Sequence, residues 1–491
     1  MIDWLSEAAG LFKTKDYIIT GQRVLSFRDL NERVSYQAYN LHKNYKVKKG
    51  DISAIISVNN IDFLILLFAL WRLGAIPVPI NIRLNDSETD DLIRFLKPSF
   101  IFRGDDNKSI ADQGSTIIRI GVDYSVPDNI ATQENVIIQD NFKTSDANDT
   151  ALILFTSGTS GNPKGVQLSF RNLKASFENS NTVLNHQPGD KWISSLPFYH
   201  IGGFSIITRA LLSGTSIIIP ASSKTEDLAD SIIGYKPTFL SLVSTQLKRL
   251  INMGIKPGIE LRCVLLGGGY IEDILVEEAI QERWPISKVY GSTETSSLIS
   301  FLDCIKDDNK KSSGGKPLAD NQIFIVNESK ELLPNNKIGE IAIKSESCAK
   351  GYYNNPNETD KKFSRGIYYT GDSGYIDEDG YLFIESRIDD LIISGGENIN
   401  PLEIEAALLE FPGIQNAAVF GIEDDEWGYI VSAAIITQPG FNISETELKK
   451  LLLNKISPFK VPRKYYFLNE FPVSPLGKVQ KNKLRQIVKN Y

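Results

Sequence analysis

The sequence predicts an α/β protein with a large N-terminal domain of helix-covered, mostly parallel sheets and a small mobile α+β C-terminal domain. Three observations carry this. Between Asp149 and Tyr290 short β-rich runs alternate with amphipathic helical stretches, the pattern of parallel strands buried under helices. After about Arg387 the pattern gives way to capped helices and strands forming a self-contained unit. At 491 residues the chain also exceeds what one hydrophobic core holds, which divides it into domains 1–388 and 389–491.

Taken in order, 27–45 and 61–73 read as helices in the first third. The run from Ile61 to Ile80 approaches the length of a membrane span, but Arg72, Gly74, Pro77 and Pro79 break it into a helix and an extended segment, so no span is expected. Strands are expected at 151–155, 191–196, 216–220, 239–243, 263–266 and 288–290, with helices at 225–235, 245–253 and 271–282 between them. The polar stretch 306–315 reads as a mobile surface loop. In the small domain Asn400-Pro401 opens a helix over 402–410, and Ser444-x-x-Glu447 is a capping box opening another. Strands at 417–421 and 430–437 flank an acidic loop, 423–426.

Composition excludes several classes. Lys plus Arg number 53 and Asp plus Glu 60, a net charge of −7 with no basic patch, which argues against a nucleic-acid partner. Cys263, Cys304 and Cys348 lie far apart without CxxC spacing in a chain with three histidines, which argues against a disulfide scaffold or structural zinc. A reducing cytoplasm is expected, and the first residues show no secretory pattern.

The chemistry concentrates in Phe155-Thr-Ser-Gly-Thr-Ser-Gly-Asn-Pro-Lys-Gly165. A buried strand delivers glycines that allow backbone N–H groups to converge on an anion, with the hydroxyls of Thr156, Ser157, Thr159 and Ser160 and the Lys164 ammonium as further donors. Gly158 and Gly161 supply the tight turns. The ligand suited to this is a polyphosphate, although the GxxxxGK[ST] pattern is not met.

With four further motifs in order, the chain resembles the adenylate-forming superfamily of acyl- and aryl-CoA synthetases, luciferases and peptide-synthetase adenylation domains. These are Tyr290-Gly-Ser-Thr-Glu-Thr295, Tyr369-Thr-Gly-Asp372, the junction from Arg387 to Ile399, and Pro475-Leu-Gly-Lys478. The resemblance implies ATP, Mg²⁺ and coenzyme A as reactants or cofactors, with a small carboxylic acid as substrate and a possible homo-oligomer. It implies nucleotide contacts from Gly267, Gly268, Tyr290, Gly291, Ser292 and Thr293, and Mg²⁺ held by Glu294. It further implies Asp372 on the ribose hydroxyls, Arg387 near ribose or phosphate, and Asp389 as the hinge. Gly395 and Gly396 are implied to pass the pantetheine arm of CoA. Lys478 is the implied catalytic cation, and His200 and Thr293 the other implied catalytic residues.

The acid is set by the acyl pocket, for which the resemblance implies His200, Gly268 and Arg209. Arg209 interrupts an apolar run, and a cation there needs a partner: a second substrate carboxylate or a protein carboxylate. The short chain, the Leu265-Leu-Gly-Gly-Gly269 segment and the position of Arg209 look most similar to the o-succinylbenzoate–CoA ligase subfamily of menaquinone biosynthesis. Another aryl- or medium-chain acyl-CoA synthetase and a stand-alone amino- or aryl-acid adenylating enzyme are the alternatives.

Overall fold

The structure, a computed structural model, describes residues 2–21, 23–104, 114–120, 145–156, 164–269, 271, 273–387, 392–472, 479 and 481–489. Its largest sheet has nine strands. The parallel middle runs from Ile286–Ser292 through Cys263–Leu266, Phe239–Leu242, Lys191–Ile193 and Ser216–Ile218 to Asp16–Thr20. Antiparallel strands close both edges. A second, wholly parallel sheet joins Ile76–Pro79, Ile52–Ile56, Phe100–Arg103 and Thr116–Arg119. Two antiparallel sheets complete the large domain, a three-stranded one containing the hairpin Thr150–Thr156 with Lys164–Ser169 and a five-stranded one containing Ile367–Ile376.

The run that approaches span length is a helix, Ile61–Arg72, followed by the strand Ile76–Pro79. Asn60 caps it by accepting from Phe63 N–H at 2.7 Å. Its terminal charge is satisfied, because Arg72 meets Asp3 through Nε at 2.8 Å and Nη2 at 3.2 Å and also bonds Ser35 and Asn31. Among the described residues no helix is long and apolar enough to cross a membrane. Edge-to-face contacts of Trp71 with Trp4, Phe170 and Phe204 tie this helix to the first helix, to Phe170–Leu184 and to Ile201–Ser213. That cluster fixes the helix carrying Arg209. The helix packs closely on the chain before it: a Cβ on Gly203 would lie 2.1 Å from the Pro197 carbonyl oxygen, so only glycine fits.

The small domain packs two helices, Pro401–Leu409 and Glu445–Leu453, against a sheet led by Ile414–Asp424 and Gly428–Thr437. Ser444 and Glu447 form the expected reciprocal cap. The acidic loop is shorter than expected. The strand runs on through Asp424, whose carboxylate accepts from the N–H groups of Glu426 and Trp427 and so makes the turn itself.

The stretch 306–315 differs from the expectation of a mobile surface loop. Lys310 is clasped by Asp377 at 2.6 Å and Asp379 at 2.7 Å, and Ser313 to Gly315 are buried, with Ser300 Oγ donating to the Gly314 carbonyl. Its polar composition is spent on these anchoring contacts.

Candidate active site

One cavity of about 950 Å³ opens at the carboxyl ends of the parallel strands, where an open α/β sheet exposes backbone and loop side chains to a ligand. The strand Cys263–Leu266 delivers Gly267 and Gly268, and the strand Ile286–Ser292 delivers Tyr290, Gly291 and Ser292, followed by Thr293 and Glu294. Gly291 has to be glycine, since a Cβ would sit 1.9 Å from the Ser297 carbonyl oxygen. Thr156 and Lys164, also in the cavity wall, are register partners in their hairpin and hold the two ends of the glycine-rich loop side by side.

At this end Lys164, Glu294 and Asp372 each have a protein partner among the described residues. Lys164 Nζ meets Glu358 Oε1 at 2.6 Å and lies 5.7 Å from the Tyr352 ring centre. Burial alone would raise the Glu358 carboxyl, but Lys164 outweighs it and holds it below the usual range. The Tyr352 hydroxyl donates to Glu294 Oε1 at 3.0 Å, and its own ionisation is pushed far up, first by burial and then by Glu294. Tyr290 OH donates to Asp372 Oδ2 at 2.7 Å. Asp372 is held by its own N–H donating to Thr370 Oγ1, while Gly371 N–H donates to Glu340. The Ser292 hydroxyl oxygen is buried with no hydrogen-bond partner among the described residues.

The other end is built differently. Arg209 is 1% exposed, yet its side chain lines the cavity. Its Nη1 donates to Ser205 Oγ at 2.9 Å, Nη2 to Ser297 Oγ at 3.3 Å and Nε to Ser180 Oγ at 3.4 Å. The guanidinium lies 5.9 Å from the Trp192 ring centre. The hydroxyl protons of Ser205 and Ser180 are engaged by the carbonyls of Gly202 and Phe177, so their lone pairs face the cation. No carboxylate among the described residues pairs with it. Burial pushes its pKa down to about 9, which leaves it cationic at neutral pH.

His200 is the residue before the helix Ile201–Ser213 and lines the same cavity. It faces the small domain, with Nε2 3.4 Å from Glu397 Oε2. Gly395 and Gly396 line the same cavity, with φ of +57° and +84°. A Cβ on Gly395 would meet Trp427 at 2.7 Å, and one on Gly396 would lie 3.4 Å from Val243 of the large domain. The slot between the domains is therefore narrow and lined by backbone.

The structure thus brings Thr156, Lys164, His200, Arg209, Gly267, Gly268, Tyr290–Glu294, Asp372, Gly395 and Gly396 around one cavity. Ser157, Gly158, Thr159, Ser160, Gly161, Asp389 and Lys478 lie outside the described residues. Arg387 is described by its backbone alone, paired with Asp372 across two strands. Sequence reasoning missed Glu358, Tyr352, Glu397 and the three serines. Ser205, one helical turn before Arg209, carried a readable signal; the others reach the site from distant parts of the chain.

The AMP-binding enzyme family matches residues 5–353, and the AMP-binding enzyme C-terminal domain matches 403–478. This chain belongs to the AMP-binding enzyme family. A 2-succinylbenzoate–CoA ligase from Geobacillus sp. (strain WCH70) is 34% identical over 99% of this chain and 98% of its own length. The o-succinylbenzoate CoA synthetase of Bacillus subtilis, as a double mutant bound to the product analogue OSB-NCoA, superposes with a TM-score of 0.89 at 29% identity, covering 99% of this chain and 98% of that one. In complex with the acyl-adenylate intermediate OSB-AMP it superposes at 0.74, with the same identity and coverage.

Proposed function

We propose that this protein is an ATP-dependent 2-succinylbenzoate–CoA ligase that first adenylates the acid, releasing pyrophosphate, and then transfers the acyl group to CoA. The observation that carries the acid assignment is Arg209: a buried cation at the cavity wall, held by hydroxyls and without a carboxylate of its own among the described residues. A buried charge of this kind is costly unless a counter-ion reaches it. A diacid supplies one, because a carboxylate stays free after the other is activated. The similarity to enzymes named for this substrate supports the same reading.

In this reading ATP occupies the end where the protein charges are paired. Lys164 exchanges Glu358 for phosphate oxygens, and Thr156, Gly267, Gly268, Gly291, Thr293 and the loop residues Ser157, Gly158, Thr159, Ser160 and Gly161 add donors and close approach. The unpartnered Ser292 hydroxyl suits an anionic ligand here. Tyr290 offers its ring face to adenine while its hydroxyl braces Asp372, which accepts from the ribose hydroxyls; Arg387 adds a cation nearby. Glu294 fits a magnesium ion, since Tyr352 takes one carboxylate oxygen and the other remains for a hard cation shared with phosphates. Bound there, Mg²⁺ neutralises polyphosphate charge. Attack of the carboxylate on the α-phosphorus builds negative charge, which Lys478 is placed by its motif to stabilise. The small domain, 389–491, turns about Asp389 for the second step, when Gly395 and Gly396 pass the CoA arm and His200 sits beside the carbonyl. Cys263, Cys304 and Cys348 are all free thiols, in keeping with a cytoplasmic protein.

Pyrophosphate release with ATP and Mg²⁺, measured with and without CoA on o-succinylbenzoate, benzoate, octanoate and several amino acids, tests this. CoA-dependent turnover confined to o-succinylbenzoate is the expected result. Turnover on octanoate or benzoate instead keeps the ligase mechanism and discards the diacid.

A further inference from the structure

Besides contacts through His200, Lys248 and Arg249, the two domains touch along a short strip of the large domain, the connection between the strand Ile76–Pro79 and the helix Asp86–Leu96. Asn81 Nδ2 and Arg83 Nη1 reach Glu397 at 3.3 Å and 3.1 Å. Asn85 N–H donates to Ser457 Oγ at 2.9 Å. Glu88 Oε1 receives Lys460 Nζ at 2.8 Å, and the same ammonium donates to Glu403 Oε1 at 2.9 Å within the small domain. Lys460 is 7% exposed and Ser457 fully buried, so their contacts are shielded from water, whereas the Arg83 side chain is half-exposed.

The partners divide unequally. Lys460 and Glu403 travel together on the small domain, whereas Glu88 stays behind when that domain turns. Lys460–Glu88, made in the arrangement in which Gly395 and Gly396 line the cavity, is therefore a contact that a turn of the small domain would break. The Bacillus subtilis synthetase superposes on this chain at a TM-score of 0.89 in its product-analogue form and 0.74 in its adenylate form. We propose that segment 81–88 is a docking strip for thioester formation and that Lys460 is a positioning residue for that step, acting through Glu88 without touching substrate. The proposal rests on the two-step reading above.

Glu88 permits a clean test because it has two jobs. Its Oε2 accepts from Asn85 N–H at 3.0 Å in a capping box, and a glutamine carbonyl does the same. Glu88→Gln thus keeps the cap and removes only the charge facing Lys460. With supplied o-succinylbenzoyl-adenylate and CoA, thioester formation should slow about tenfold, while pyrophosphate release in the adenylation step stays within about twofold. Lys460→Met should give the same split, Lys460→Arg should restore most of the rate, and the double variant should be no slower than either single. Equal losses in both steps, or no loss in the second, overturn the proposal. Amide exchange across 81–88 supplies a readout independent of the acid: Lys460→Met should speed it without affecting the rest of the helix, and unchanged exchange overturns the latch. A wild type that forms no thioester discards the two-step reading, and the exchange result then decides the latch alone.

Discussion

The two ends of the cavity treat charge in opposite ways. At the nucleotide end Lys164, Glu294 and Asp372 are each partnered by Glu358, Tyr352 and Tyr290. At the acyl end Arg209 is surrounded by serine hydroxyls and an aromatic face. Charges that can exchange a protein partner for a ligand cost little while the site waits, and they suit a nucleotide shared by a whole family. A buried charge with no exchangeable counter-ion keeps its penalty until one particular ligand arrives, which makes it a selector.

The largest effect that sharpens this contrast belongs to Lys478. Its replacement by alanine should lower adenylation by about 10³-fold while sparing thioester formation from supplied acyl-adenylate. Loss of both steps together breaks the division of labour between the domains. Next comes Glu358→Gln, which strands Lys164 in a largely buried position. The free protein should lose about 3 kcal/mol in denaturant unfolding, and ATP with Mg²⁺ should stabilise the variant more than the wild type by replacing the missing counter-ion. An unchanged nucleotide effect means that Lys164 does not exchange partners.

A smaller effect probes the positive acyl end. His186 packs against Trp192 and Phe239, and its pKa is lowered to about 3, first by burial and then by Arg209 and Arg262. The unfolded chain takes up this proton near the ordinary value of 6.5 and the native one does not until about 3. Stability therefore falls as pH drops between those values, by at most ~1.4 kcal/mol per pH unit from this group. Unfolding of the wild type and His186→Gln at about pH 7 and about pH 5 should show a shallower slope in the variant. Equal slopes contradict the burial of a neutral ring.

Much of the scaffold was legible because its signals are local. The helix over 225–235 and the strand over 263–266 appear with the expected bounds as Thr225–Tyr235 and Cys263–Leu266, since apolar period and flanking turns decide such elements. The capping box at Ser444 was readable for the same reason. The strand expected over 191–196 stops at Ile193, and the chain then leaves the sheet to form the close floor beneath Gly203. Within the site, the residue types that face the cavity were legible from their motifs, but their partners were not. Lys164 meets Glu358 across 194 positions and Tyr352 meets Glu294 across 58, distances at which no spacing rule operates. Arg209 shows both sides: its need for a partner could be read from an apolar helix, while only the packing of Ser180 and Ser297 beside it shows that hydroxyls fill that place.

The most direct test of the account compares kcat/KM for o-succinylbenzoate with that for its two single-carboxylate isosteres, in the wild type and in Arg209→Leu. The wild type should prefer the diacid over the better isostere by about 10²-fold or more, because a site built around a charge rejects a ligand that leaves it unpaired. In Arg209→Leu that preference should collapse to near unity while KM for ATP holds. A variant that keeps both its activity and its preference for the diacid contradicts the role given to Arg209.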